Sequence, residues 1–155
     1  MSDKPVVPVF FACDDNFVKF TIVAITSLKA NADRNHYYDI HILYTKMSKD
    51  MKEKTYALAD EDFTITFDDV THFLKAVNYR LHVRDYYSKT TYYRLFIPDL
   101  YPEYDKAIYI DSDTIILGNI AEMYAYDLGD NYVGACKEQA MIQEDVFGTY
   151  VENNE

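Results

Sequence analysis

Apolar residues fall into short blocks whose rhythm changes along the chain. Val6 to Cys13 (VVPVFFAC) is apolar almost without interruption, the pattern of a strand covered on both faces. Phe17 to Ala30 switches to helical spacing, marked by Phe17, Phe20, Val23, Ala24, Thr26, Ser27 and Leu28, with Asp15 or Asn16 placed to cap it. Tyr38 to Tyr44 (YDIHILY) predicts a second strand, Ser48 opens a helix through Ala59, and Phe63 to Phe67 (FTITF) alternates as a third strand. Lys89 to Ile97 (KTTYYRLFI) predicts a helix that Pro98 ends. Ala107 to Ile110 predicts a fourth strand, Asn119 to Tyr126 a short helix, and Tyr132 to Cys136 (YVGAC) a fifth strand. The remainder, Lys137 to Glu155, is polar and mixed.

Strands alternating with helices predict an α/β fold: a Rossmann-like, mostly parallel sheet flanked by helices. Its 155 residues fit a single domain over 1–155, large enough to bury roughly 70% of its unfolded surface. Ligands in such folds bind beyond the carboxyl ends of the strands. Four predicted strand ends carry charge: Asp14-Asp15, Asp68-Asp69, Asp111-Ser112-Asp113 and Lys137-Glu138.

Composition narrows the chemistry. Four glycines and no glycine-rich turn exclude a phosphate loop or a dinucleotide fingerprint. A formal net charge of −11 argues against nucleic acid as a partner, although a bound metal can reverse the local field for a small phosphorylated ligand. Cys13 and Cys136 both sit in apolar runs, the usage of buried reduced thiols. The N-terminus lacks the basic and apolar regions of a signal peptide, and no apolar run reaches membrane-span length. The expectation is a soluble cytoplasmic protein, at most peripheral at the inner face of a membrane.

Asp111 and Asp113 are the principal metal candidates. At i and i+2 of an extended segment two carboxylates face one way, and a hard cation such as Mg²⁺ or Mn²⁺ favours such oxygen donors. Asp60-Glu61-Asp62 has the same spacing but lies in a polar stretch and reads as a solvated loop. Asp111 ends an apolar strand, where two carboxylates repel unless a cation or a proton intervenes. Asp14-Asp15-Asn16 fits either recognition of a base or ribose or a helix N-cap. Arg94, among Tyr92, Tyr93, Leu95 and Phe96, needs an anionic partner, either phosphate or a nearby carboxylate such as Asp99. Phe17 fits base stacking or a core position of the first helix. Lys137 and Glu138 read by themselves as a surface ion pair. His36, His41, His72 and His82 show no zinc spacing with either cysteine.

Four ordered segments carry a resemblance: FACDDNF (Phe11–Phe17), TTYYRLFIPDL (Thr90–Leu100), KAIYIDSDTIILGNI (Lys106–Ile120) and DLGDNYVGAC (Asp127–Cys136). Together they resemble the N-terminal half of a retaining glycosyltransferase of family 8, with the GT-A fold. The resemblance implies a UDP-sugar donor (glucose or galactose), a glycan or glycolipid acceptor, Mn²⁺ or Mg²⁺ held by Asp111 and Asp113, and Ser112 between them as a substrate-binding residue. It implies that Asp14, with Asp15 and Asn16 beside it, recognises the uridine, that Ala12 supplies backbone contacts, and that Phe17 stacks where the family often has Tyr. Arg94 is implied to contact the donor, and Glu138 falls where relatives commonly carry an Asp facing the sugar. The chain has no Trp and no His beyond His82, so the metal-binding His and the acceptor wall that relatives draw from their second half have no counterpart. The expectation is weak donor binding and poor or absent transfer by this chain alone, with self-association or a separate C-terminal half covering the apolar face left open. Two other readings are a non-catalytic UDP- and metal-binding remnant and a receiver-like phosphoacceptor domain centred on Asp68. A haloacid-dehalogenase-type phosphatase fits less well, because Thr114-Ile115 stands where that pattern has Gly-Thr.

Overall fold

The computed structural model describes residues 4–77 and 89–136. The chain divides into two units, Met1–Ala125 and Tyr126–Glu155. The first holds a four-stranded sheet in the order β3-β2-β1-β4: β1 (Val6–Ala12), β2 (Tyr37–Tyr44), β3 (Phe63–Asp69) and β4 (Ile108–Tyr109). Every pairing is parallel, so each connection crosses over the sheet and all four strands end at the same edge.

The continuous apolar character of β1 is explained by cover on both faces. Val7, Val9, Phe11 and Cys13 point to one side, with Ile40, Ile42 and Ile65 from the neighbouring strands. α1 (Val18–Asn31) and α5 (Ile120–Tyr124) close this side. Phe10 and Ala12 point to the other side, where Leu43, Tyr93 and Phe96 join them. That face lies under a 3₁₀-helix (Lys89–Phe96), which leads directly into α4 (Ile97–Leu100). Each large apolar side chain so buried contributes about 1.5–3 kcal/mol.

Five expectations are corrected. α1 does not bury the Phe17, Phe20, Val23 row, which is exposed; it buries Val18, Thr21, Ala24, Ile25 and Leu28. Apolar residues surround this helix, so periodicity alone could not choose the face. Pro98 does not end a helix but sits in the first turn of α4, where its missing N–H is not needed. α3 (Thr71–Val77) follows β3, where the pattern gave no helix. Tyr132–Cys136 forms no strand among the described residues, and Tyr132 and Val133 are exposed; an apolar run becomes a strand only against a partner edge. Cys136 is exposed, unlike the buried Cys13. Within the second unit, the turn at 127–131 is closed by Gly129, at φ 55, whose N–H donates to Asp127 Oδ1 at 2.8 Å. No helix among the described residues is long and apolar enough to cross a membrane.

Candidate functional site

β1 is flanked by β2 on one side and β4 on the other. The chain leaves β1 towards one side of the sheet and later returns on the opposite side, so the carboxyl ends of β1 and β4 form the topological switch point at which open α/β sheets take ligands. The loops carrying Asp14 and Asp111 both begin there.

Asp111-Ser112-Asp113 is a turn rather than the extended segment expected, closed by the Thr114 hydroxyl donating to the Asp111 carbonyl at 2.8 Å. Ser112 is buried and donates its hydroxyl to the Ala12 carbonyl at 2.9 Å, tying the β4 loop to the end of β1. Asp111 and Asp113 on either side are exposed. Ser112 and the Ala12 carbonyl therefore engage each other, a positioning contact.

Arg94 reaches this turn from the 3₁₀-helix. Its Nη2 donates to Asp111 Oδ1 at 2.9 Å, and its Nε to the Thr91 carbonyl at 2.9 Å. The guanidinium lies 4.2 Å from the centre of the Tyr109 ring. The anionic partner of Arg94 is thus Asp111 and not Asp99. Tyr109 is a site residue that sequence reasoning missed, although it ends β4 two positions before Asp111. Burial, opposed by Arg94 and reinforced by Asp111, drives its phenol well above the ordinary range, so it remains a neutral platform for the cation.

Asp14 Oδ1 accepts the N–H groups of Asn16 at 2.9 Å and Phe17 at 3.1 Å. Asp14 thus closes the turn that precedes α1, whose N-cap is Phe17 with no side-chain cap, so neither Asp15 nor Asn16 caps the helix as expected. Asp15 Oδ1 accepts the N–H of Ser48 at 2.8 Å, fastening the β1 loop to the start of α2 (Lys49–Tyr56). Phe17 is 49% exposed, so it is not a core residue, and its ring tilts against Phe20. Beneath this loop Cys13 has its thiol pushed up to about 11 by burial, with Asp14 and Asp15 adding to the effect; it is a thiol at neutral pH. Glu138 and Lys137 lie outside the described residues.

Residues 8–154 match the model of the Glycosyl transferase family 8. The chain belongs to glycosyl transferase family 8. Among relatives, General stress protein A of Bacillus subtilis strain 168 is 24% identical over 143 residues, covering 89% of this chain and 48% of that protein. A putative glycosyltransferase of Haemophilus influenzae is 26% identical over 136 residues, covering 84% and 38%. Among solved structures, the apo WbbM bifunctional glycosyltransferase is similar with a TM-score of 0.77 and 36% identity, over 91% of this chain and 24% of that one. The galactosyltransferase LgtC, solved with donor and acceptor sugar analogues, gives a TM-score of 0.74 over 94% of this chain and 51% of its own; at 22% identity it shows the fold alone. The family 8 chain therefore has the GT-A fold, and it spans about half the length, or less, of these proteins. Family membership displaces the receiver-like and phosphatase readings. Asp68, the residue the receiver reading requires, has its carboxylate engaged by His41 and Tyr101.

Proposed function

We propose that this chain carries the donor-binding half of a metal-dependent retaining glycosyltransferase that uses a UDP-sugar, glucose or galactose. The observation that supports this most is the Arg94–Asp111 pair at 2.9 Å, placed at the switch point between β1 and β4 with Asp113 exposed beside it. A cation and an anion held at the ligand-binding edge of such a sheet suit a ligand that brings both charges, such as a metal–diphosphate. Among the described residues no group of three or more His, Cys, Asp or Glu is placed to hold a metal. Two carboxylates are nonetheless the donor set of a divalent cation that completes its shell with substrate phosphates and water. Asp111 and Asp113 fit Mn²⁺ or Mg²⁺ on that basis.

Such a cation supplies Lewis-acid neutralisation of the charge on the departing diphosphate. The chain's own residues do the rest. Arg94, released from Asp111, donates to a phosphate oxygen and stabilises the same developing charge. Asp14 and Asn16, with the backbone near Ala12, line the end where the nucleoside would lie, and Phe17 offers an exposed ring. Ser112 and Asp15 hold the two loops in register. Glu138 is assigned to the sugar on the strength of the family pattern. The bond broken is that from the anomeric carbon to the diphosphate, through an oxocarbenium-like transition state, and the acceptor is a glycan or glycolipid hydroxyl.

Calorimetric titration of UDP with and without Mn²⁺ tests the reading. Binding that requires Mn²⁺ and is lost in Asp111→Asn supports it, and metal-independent binding in both proteins contradicts it. The non-catalytic remnant differs only in turnover, which hydrolysis of labelled UDP-hexose would reveal. We further propose that the exposed Phe20, Val23, Ile115 and Leu117 are covered by a second copy or a further polypeptide; a monomer mass at every concentration in sedimentation would remove self-association. Two free cysteines fit a reducing compartment, and cell fractionation checks the cytoplasmic placement.

A further inference from the structure

On the face of the sheet that carries the 3₁₀-helix lies a polar cluster with no part in the chemistry above. Asp39 and His41 alternate on β2 and so share a face. Asp68 stands on the neighbouring strand, in register with Leu43. His41 Nδ1 lies 3.1 Å from Asp68 Oδ2, and Nε2 lies 3.5 Å from Asp39 Oδ1. The imidazole is 4% exposed. Phe10 stacks on it at 4.7 Å from β1, and the Tyr101 ring covers it at 4.2 Å. Tyr101 donates its hydroxyl to Asp68 at 2.7 Å, Tyr104 donates to Asp39 at 2.7 Å, and Thr64 donates to Asp39 at 2.7 Å.

The donors and acceptors decide the protonation. A neutral imidazole has one bare nitrogen, and here either nitrogen would then aim a lone pair at a carboxylate. Tyr104 spends its proton on Asp39, so its oxygen, 3.4 Å from His41 Nε2, is left to accept. Only the imidazolium donates from both ring nitrogens. The cluster then holds one imidazolium between two carboxylates, and without that cation two half-buried carboxylates would face each other.

We propose that His41 is a positioning residue: as an imidazolium between Asp39 and Asp68 it docks Tyr101 and Tyr104 on the sheet, and so fixes the segment through which the chain carries Arg94. The link to Arg94 rests on the donor-site reading above; the docking itself does not. Tyr101 closes α4, its N–H donating to the Ile97 carbonyl at 3.0 Å, and α4 continues directly from the 3₁₀-helix that bears Arg94. The other end of the segment is held by Tyr93, hydrogen-bonded to Thr45 at 2.8 Å, and by Phe96 stacked on Phe73. The cluster is therefore the second of two anchors. The groups facing His41 are Asp39 from β2, Asp68 from β3, and Tyr101 and Tyr104 beyond α4; β1 offers only the Phe10 ring. Burial by itself would lower the imidazole, but the two carboxylates together outweigh it and hold it up at about 9. Both phenols are driven above the ordinary range, first by burial and then by their carboxylate partners, so they stay donors.

The test uses the intact chain. Nuclear magnetic resonance of the His41 ring should show it protonated at pH 7, with a midpoint near 9. Across that midpoint, hydrogen exchange at the Tyr101 and Tyr104 amides, corrected for intrinsic rates, should accelerate about ten- to a hundredfold, as expected for loss of a charged hydrogen bond. His41→Gln should show the faster exchange already at pH 7. If that variant does not fold, Tyr101→Phe with Tyr104→Phe removes only the two hydroxyls and should give the same acceleration. A neutral His41 ring at pH 7, or exchange indifferent to its titration, would overturn the docking. UDP affinity that falls as the segment loosens supports the link to Arg94, and unchanged affinity overturns that link. Absence of UDP binding by the unaltered chain at pH 7 would count against the donor-site reading, while the exchange result still decides the docking.

Discussion

Ser112 separates two exposed carboxylates by turning its own side chain inward to the Ala12 carbonyl. Replacing it with alanine leaves that buried carbonyl without its donor, at a cost of about 1 kcal/mol. Ser112→Ala should therefore lower the melting temperature by roughly 2–4 °C, the scale for a chain of this size, as read by calorimetry. It should also weaken Mn²⁺-dependent UDP binding, because the turn loses its tie to β1. The sequence singled out Asp111 and Asp113 by their position after an apolar strand, and both emerge exposed beyond the end of β4. It could not name the partner of Arg94. Asp99 is five residues away in the chain and Asp111 seventeen, but only the parallel pairing of β1 with β4 brings the latter within 2.9 Å. Asp14 and Asp15 were open to two readings because one carboxylate can serve both, and both are seen bonding backbone N–H groups.

At the scale of elements, the cluster around β2 makes stability depend on pH. The folded-state value for His41 is raised, so its contribution is complete below the ordinary histidine range and is lost as pH rises through about 9. Asp39 is held low, chiefly by its hydrogen bond from His41, so its contribution is present at neutral pH and is lost only in acid. Urea unfolding should thus show stability falling between pH 6.5 and 9, by a few kcal/mol at most on the order of the shift, and His41→Gln should flatten that slope. A slope unchanged in the variant would assign the dependence elsewhere. A signal for this cluster was present in YDIHILY, where polar Asp39 and His41 recur at strand spacing inside an apolar block. The carboxylate on β3 that completes it is fixed by register, which a pattern does not contain. The faces of α1 were illegible for a related reason: Phe17, Val18, Phe20, Ile22, Val23, Ala24, Ile25 and Leu28 offer apolar atoms all round, and packing chose the row containing Thr21. The apolar run Tyr132–Cys136 shows the converse, strand composition without a strand.

For the whole molecule, the alternation of strands and helices was enough to give a parallel sheet whose strands all end at one edge, and the matched order of four motifs placed the chain in its family. The described residues bring the β1 and β4 loops and Arg94 together in a protein of net charge −11, where an anionic diphosphate needs a cation to enter. The decisive measurement is the melting temperature with UDP, with and without Mn²⁺, in the unaltered chain and in Asp111→Ala, Asp113→Ala. A ligand that binds only the native state stabilises it by about 2.7 kcal/mol at a hundredfold excess over its dissociation constant. The account predicts a rise of several degrees that needs both UDP and Mn²⁺ and vanishes in the double variant. No rise at millimolar UDP with Mn²⁺, or an equal rise in the double variant, would contradict a donor site built on these two aspartates.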